Sequence, residues 1–154
     1  MKRSGLVLLS VLLLLAAFPA WAENPHCEQV SGVLMTNIGV IPFGSPGPTN
    51  LGPVFGDLKG SVAAEYKGNL TFQHYWVMTS GDTINFKLAV LNADPEDFLD
   101  NGNVVVVRLG HYKSEIAGGT GKYANAKGTL EYFGLADFGQ QPLVLRYRGN
   151  VCSK

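Results

Sequence analysis

The stretch GGTGKYANAKG, residues 118–128, has the most unusual composition in the chain and predicts a tight turn between two β-strands. Three of its first four residues are glycines, which adopt backbone conformations that a Cβ atom forbids. Thr120 is suited to hydrogen-bond nearby backbone, and Tyr123 is suited to pack beneath the turn. We therefore expect this segment to form a glycine-built corner, and an ordinary surface loop is the alternative.

Strand-like runs rich in Val, Thr, Tyr and Phe surround this corner, and no stretch keeps a helical period for long. Eight strands are predicted, over residues 28–36, 57–67, 70–78, 83–91, 103–109, 112–117, 129–138 and 143–151. Short glycine-containing connections favour antiparallel hairpins, and Gly110 indicates a bulge or a break. Residues 39–56, rich in Pro, Gly and Asn, are expected to be irregular.

The first 22 residues have the pattern of a signal peptide. Lys2 and Arg3 are followed by an apolar run too short to span a bilayer comfortably, and residues 20–22, AWA, match a cleavage site. An uncleaved anchor is the alternative, but the polar residues 23–26 argue against it. We therefore expect a secreted or periplasmic protein with a single domain, residues 23–154, and no stable membrane insertion after cleavage.

The charges of the expected mature chain argue against nucleic acid as a partner. Loss of Lys2 and Arg3 leaves 10 basic and 12 acidic residues. The basic residues are scattered along the sequence, with no dense stripe to collect phosphates and no nucleic-acid-binding motif.

The two cysteines, Cys27 and Cys152, lie near opposite ends of the expected mature chain. In an oxidising compartment they are expected to form a disulfide that joins the first strand to the last. Terminal strands are neighbours in a closed barrel, so this pairing independently favours closure. A metal site is the weaker alternative, because neither cysteine has companions at zinc-ligand spacing.

Alternation along the strands assigns apolar side chains to the inside of the barrel, including Ile84, Leu88 and Val90. His74 shares this inward face with large aromatic residues, and it is the candidate for a catalytic role, with a satisfied core histidine as the alternative. Apolar walls with a few polar groups are typical of a small-molecule pocket. The residues expected to line such a pocket are Tyr66, Phe72, His74, Trp76, Phe86, Tyr132 and Tyr147.

The ordered string at residues 118–128 resembles the GGTGxFxxAxG signature of the allene oxide cyclase and dirigent barrels, a superfamily of plant proteins with small exported bacterial relatives. The positions that carry the resemblance are Gly118, Gly119, Thr120, Gly121, Tyr123 and Gly128. The resemblance implies an all-β, eight-stranded antiparallel barrel of calycin-like type, often trimeric, with a cavity at one end. It also implies chemistry without a metal or an organic cofactor, although the catalytic residues of these families have no secure counterparts here.

Three functions remain open at this point. The first is binding of a small, mostly apolar molecule in the lumen. The second is a cofactor-free isomerase or cyclase, or a protein that steers stereochemistry, in which the lumen supplies shape and a few hydrogen bonds. The third is a filled barrel that acts through its outer surface as an interaction module.

Overall fold

The computed structural model describes residues 26–38, 47–92, 98–100, 105–137 and 143–153, and the expected leader lies outside them. The described residues are mostly β-strand, with one 3-10 turn at Gly121–Tyr123. In these residues no helix is long and apolar enough to cross a membrane. The strands are β1 His26–Ile38, β2 Gly47–Gly56, β3 Gly60–Gly68, β4 Thr71–Met78, β5 Thr83–Phe86, β6 Ala89–Val90, β7 Phe98–Asp100, β8 Val105–Gly119, β9 Lys127–Asp137 and β10 Leu143–Ser153.

Eight strands form a closed antiparallel barrel, which confirms the predicted fold class. Pairing runs in the order β3-β2-β1-β10-β9-β8-β5-β4 and returns from β4 to β3. The terminal strands β1 and β10 pair from His26 opposite Ser153 to Thr36 opposite Leu143. β6 and β7 add short pairings to β4 and β8 outside this ring.

The cysteines lie directly opposite each other in the β1–β10 pair, with an S–S distance of 2.06 Å between Cys27 and Cys152. This agrees with the expected disulfide between the terminal strands. The bond therefore crosses the seam at which the first and last strands close the barrel.

The prediction of an irregular stretch over residues 39–56 is wrong for its second part, because Gly47–Gly56 forms β2 and pairs with both β1 and β3. Glycine here permits close strand approach. A Cβ atom on Gly52 would lie 2.1 Å from the carbonyl oxygen of Met35. The glycines of this strand therefore reflect crowding between backbones as well as turns.

The two strands predicted over residues 103–109 and 112–117 are one strand, β8. Its register with β9 shifts between Leu109 and Tyr112, which pair with Gly134 and Tyr132. Two residues of β8 therefore oppose one residue of β9, and the predicted bulge at Gly110 is confirmed. Beyond the bulge, alternate side chains of β8 point into the barrel.

The strand predicted over residues 83–91 is interrupted between β5 and β6, and the predicted inward positions Leu88 and Val90 are wrong. Their side chains are 59% and 51% exposed, whereas Ala89 and Leu91 are buried. The interruption shifts the alternation by one position, so the neighbours of the predicted residues fill the core.

The glycine signature closes one end of the barrel. Thr120 Oγ1 accepts a hydrogen bond from the Thr83 N–H at 2.9 Å, and Tyr123 is buried under the turn. A Cβ atom on Gly119 would lie 1.9 Å from the carbonyl oxygen of Thr83, so this position requires glycine. The signature glycines with φ in the left-handed region are Gly118, Gly121 and Gly128.

Two further residues complete this closed end. Tyr147 Oη accepts a hydrogen bond from the Leu58 N–H at 3.0 Å and lies 3.3 Å from the Leu58 carbonyl oxygen, to which it donates. The turn between β2 and β3 is thereby tied to the inner face of β10. The hydrogen bonds of Thr120 and Tyr147 therefore lie at the same end of the barrel.

Candidate functional site

A cavity of about 50 Å³ lies inside the barrel at the end opposite the glycine signature. It is bounded by the last residues of β1, the first residues of β2 and β10, and the strands between them. Most of its walls are apolar. The lining residues are Leu34, Thr36, Asn50, Val62, Ala64, Phe72, His74, Leu91, Leu109, Tyr112, Tyr132, Leu143 and Leu145.

The structure buries all seven predicted pocket residues but brings only Phe72, His74 and Tyr132 to this cavity. Tyr66 lies beside the β3–β4 turn, where its hydroxyl accepts a hydrogen bond from the Leu70 N–H. The remaining three pack deeper in the barrel: the ring of Trp76 contacts those of Phe86 and Tyr147 at centroid distances of 5.7 and 5.3 Å.

The polar part of the cavity is formed by three rings from three strands. His74 Nε2 and Tyr112 Oη share a hydrogen bond of 2.5 Å. The ring of Tyr132 stacks on that of His74 with 5.1 Å between centroids and 23° between planes. Tyr112 and Tyr132 are opposite each other in the β8–β9 pair, with ring centroids 5.4 Å apart. Register and alternation therefore place all three polar groups in one layer of the lumen.

Several buried polar atoms in and beneath this layer have no hydrogen-bond partner within the described residues. They are His74 Nδ1, Trp76 Nε1, Ser114 Oγ and Tyr132 Oη. An unpaired buried polar atom costs about 1–3 kcal/mol, and native proteins rarely keep one without a water, a ligand or a functional reason. Two of these atoms, His74 Nδ1 and Tyr132 Oη, belong to residues that line the cavity.

Burial keeps the titratable groups of this layer neutral. It lowers the pKa of His74 to about 4, and it raises the pKa of both Tyr112 and Tyr132. Ser114 lies close enough to both phenols to offset part of this rise, although its Oγ makes no hydrogen bond of normal geometry. The cavity therefore offers neutral donors and acceptors and no ionised group among its described lining residues.

This arrangement suits hydrogen bonding to an uncharged ligand and polarisation of an oxygen atom. The described residues contain no group of three or more His, Cys, Asp or Glu placed to hold a metal ion.

Two members of the polar layer, Tyr112 and Ser114, are absent from the pocket residues predicted from the sequence. Both follow the β8 bulge, which breaks the alternation that would have linked them to the first half of the strand. Alternation counted backwards from the apolar Ile116 assigns both to the inner face, and this signal was available in the sequence.

A larger concavity of about 1020 Å³ lies on the outer surface, against β1, β8, β9, β10 and residues 87–92. Most of its charges are paired: Lys87 Nζ is 2.6 Å from Glu115, with both side chains exposed, and Arg148 Nη2 is 2.8 Å from Glu131, whose side chain is 17% exposed. Paired and hydrated surface charges gain little free energy when a ligand contacts them. We therefore place the candidate site at the smaller inner cavity, where polar atoms are both buried and unpaired.

A closed antiparallel barrel with an apolar cavity at one end places the chain among the small lumen-containing β-barrels. A solved structure described as a pterocarpan synthase dirigent protein has this fold, with a TM-score of 0.52, 13% sequence identity, and coverage of 84% of this chain and 86% of that one. No protein-family model and no curated protein matches the sequence. The chain is therefore a dirigent-like barrel, as its glycine signature predicts, and the likeness at this identity concerns the fold.

Proposed function

We propose that this barrel binds a small, mostly apolar molecule by taking one end of it into the inner cavity. Leucine side chains from β1, β8 and β10 supply an apolar wall, and His74, Tyr112 and Tyr132 supply polar contacts at one layer. Apolar walls with a few convergent polar groups are the usual composition of small-molecule sites.

The observation that carries this proposal is the group of unpaired polar atoms. A barrel selected only for stability has no reason to keep the Tyr132 hydroxyl and His74 Nδ1 buried without partners, because phenylalanine or leucine fills such positions at lower cost. A ligand that hydrogen-bonds these atoms removes the penalty when it binds.

The cavity volume limits how the ligand is held. Pockets that enclose a drug-sized molecule measure about 300–1,000 Å³, whereas this cavity measures about 50 Å³. It holds the terminal group of a ligand, so the rest of the molecule extends towards the barrel end, past Leu91 and Leu143.

Trp76 provides the test, because it is the only tryptophan in residues 23–154 and is fully buried. The purified mature protein is titrated with fatty acids, phenolics and terpenoids, and the emission of Trp76 is followed. Saturable changes confined to one chemical class support the proposal. Emission that no ligand and no soluble quencher alters contradicts it and favours the filled barrel acting through its outer surface.

A second candidate is a cofactor-free isomerase, cyclase or stereochemistry-steering protein, favoured by the fold shared with a pterocarpan synthase dirigent protein and by the neutral His74–Tyr112 pair. In this function, His74 or a tyrosine polarises an oxygen of a substrate folded inside the lumen.

The His74→Ala variant tests this activity on whichever ligand class binds, with His26→Ala as the control, because the side chain of His26 is 77% exposed. Loss of turnover in His74→Ala alone, with the fold retained, supports the role. An unchanged rate removes His74 from the mechanism.

Export and self-association belong to the same proposal. The leader-like residues 1–22 support secretion or transport to a periplasm, and the disulfide fits such a compartment. On the outer face of β2 and β4, Leu51, Phe55, Tyr75 and Val77 are exposed, which supports a homo-oligomer, and the family resemblance implies a trimer. Light scattering of the mature protein tests this, and a monomeric mass at micromolar concentration contradicts it.

A further inference from the structure

The hydrogens available in the polar layer indicate what kind of atom the layer is built to receive. His74 Nε2 and Tyr112 Oη share a hydrogen bond, and the tautomer of His74 decides which of the two donates. His74 is neutral and has one ring hydrogen, and we assign that hydrogen to Nδ1, so that the Tyr112 hydroxyl donates to Nε2. His74 Nδ1 then becomes a buried donor without an acceptor.

The neighbouring unpaired atoms are also donors. The indole nitrogen of Trp76 can only donate, whereas the hydroxyls of Tyr132 and Ser114 both donate and accept. Burial raises the pKa of Tyr132, and Ser114 and Trp76 lie close enough to offset part of this rise, without hydrogen bonds of normal geometry. With the assigned tautomer, His74 Nδ1 is a buried donor that cannot accept, and the Tyr132 hydroxyl is able to donate beside it. A carbonyl oxygen complements this pair, because it accepts two hydrogen bonds and has no hydrogen of its own.

Charge narrows the ligand class further. The described lining residues include no Lys or Arg to balance a carboxylate and no Asp or Glu to balance an amine. A carboxylate taken to this depth would lose its hydration without gaining a counter-ion, at a cost well above that of a neutral group. The described lining residues therefore disfavour a fatty acid inserted carboxylate first.

We propose that the inner end of the cavity is a carbonyl-oxygen site, in which Tyr132 Oη and His74 Nδ1 donate to the oxygen of an uncharged ketone or enone. The stacked rings bring the two donors to the same layer of the lumen. The apolar skeleton of the ligand then lies against Leu34, Leu109 and Leu145. This inference rests on the proposed lumen-binding function and names its ligand class.

Three probes of nearly identical shape test the inference: acetophenone, α-methylstyrene and benzoate. The first presents a carbonyl oxygen, the second a methylene group in its place, and the third a carboxylate. Calorimetric titration of the mature protein is expected to give acetophenone an affinity at least about tenfold above each of the others, the effect of roughly one net hydrogen bond. The ¹³C resonance of labelled acetophenone carbonyl is expected to move downfield on binding, as it does when the oxygen accepts hydrogen bonds.

Two matched variants test whether the Tyr132 hydroxyl causes the preference for acetophenone. Tyr132→Phe removes a donor from the layer, and Tyr147→Phe removes a phenol hydroxyl that bonds Leu58 at the closed end. The preference of acetophenone over α-methylstyrene is expected to fall several-fold in Tyr132→Phe and to persist in Tyr147→Phe.

The outcomes separate this inference from the function on which it rests. Equal binding of acetophenone and α-methylstyrene, tighter binding of benzoate, or a ketone preference unchanged in Tyr132→Phe overturns the carbonyl site while lumen binding stands. Failure of all three probes, together with Trp76 emission that no compound of the wider panel alters, overturns the lumen-binding function itself.

Discussion

Removal of a single hydroxyl should have opposite consequences at the two ends of this barrel. Tyr132 and Tyr147 are each 1% exposed, and both side chains point into the lumen. The Tyr147 hydroxyl bonds the backbone N–H and carbonyl of Leu58, whereas the Tyr132 hydroxyl has no hydrogen-bond partner. Tyr→Phe at either position deletes one oxygen and keeps the ring, so the pair compares a satisfied hydroxyl with an unsatisfied one.

The magnitudes follow from the hydrogen bonds. Tyr147→Phe leaves a buried Leu58 amide without its acceptor and is expected to lower the free energy of unfolding by about 1–3 kcal/mol. Tyr132→Phe relieves the desolvation of an unpaired hydroxyl and is expected to change it by about 0 to +1 kcal/mol. The two variants should therefore differ by about 2 kcal/mol, or about 8 °C in melting temperature for a domain of this size.

Urea denaturation of the disulfide-bonded mature protein, followed by Trp76 emission and far-UV circular dichroism, measures this difference. The slopes of the two variants must agree for the comparison to be valid. A Tyr132→Phe variant that loses as much stability as Tyr147→Phe would refute the reasoning, because it would show that Ser114, Trp76 or an ordered water already satisfies the Tyr132 hydroxyl. The argument for a ligand from unpaired atoms would then lose its basis.

Three further predictions concern other parts of the barrel. Burial lowers the pKa of native His74 to about 4, below the unfolded value of about 6.5. Between these pH values the unfolded state binds more protons than the native state. The free energy of unfolding should therefore fall by about 3 kcal/mol as the pH drops from 7 to 4. The same urea titrations should show a shallower pH dependence in His74→Gln, and an identical one contradicts the assignment. Reduction of the Cys27–Cys152 disulfide should lower the free energy of unfolding by about 4–5 kcal/mol in the chain-entropy model. Denaturation with and without reductant measures this change, and no change would show that the thiols are free. Gly119→Ala should destabilise the protein by several kcal/mol, because the added Cβ atom would lie 1.9 Å from a carbonyl oxygen. Gly110→Ala is the control and should be tolerated, because no atom lies within 4 Å of its added Cβ. Equal melting temperatures of the two variants would contradict the crowding argument.

The sequence predicted the closed barrel and the pairing of its terminal strands because those features depend on local signals. Alternation of apolar and polar residues indicates a strand, the glycine signature indicates a tight turn, and the two cysteines indicate that the terminal strands are neighbours. It failed at β2, where Gly52 and Pro53 suggest a loop although the glycine permits close approach to β1. The glycine requirement there depends on the distance to another strand, which the local sequence does not contain.

The polar layer was harder to predict for a related reason. His74 and Tyr132 were found by alternation, but their partner Tyr112 follows a bulge that resets the phase of β8. The hydrogen bond between His74 and Tyr112 joins residues 38 positions apart and depends on that reset register. A site assembled across three strands can be predicted only when every bulge between them is placed correctly.

The glycine signature and the candidate site lie at opposite ends of the barrel, and this separation limits what the signature can predict. Gly119 and Tyr123 stabilise the closed end, where backbones approach too closely for a Cβ atom. The unpaired donors of His74 and Tyr132 border a cavity at the other end, which the signature segment does not line. Substitutions at one end are therefore free to change ligand chemistry without disturbing the turn that closes the other. A shared signature in such barrels indicates a shared architecture, and the ligand must be inferred from the residues around the cavity.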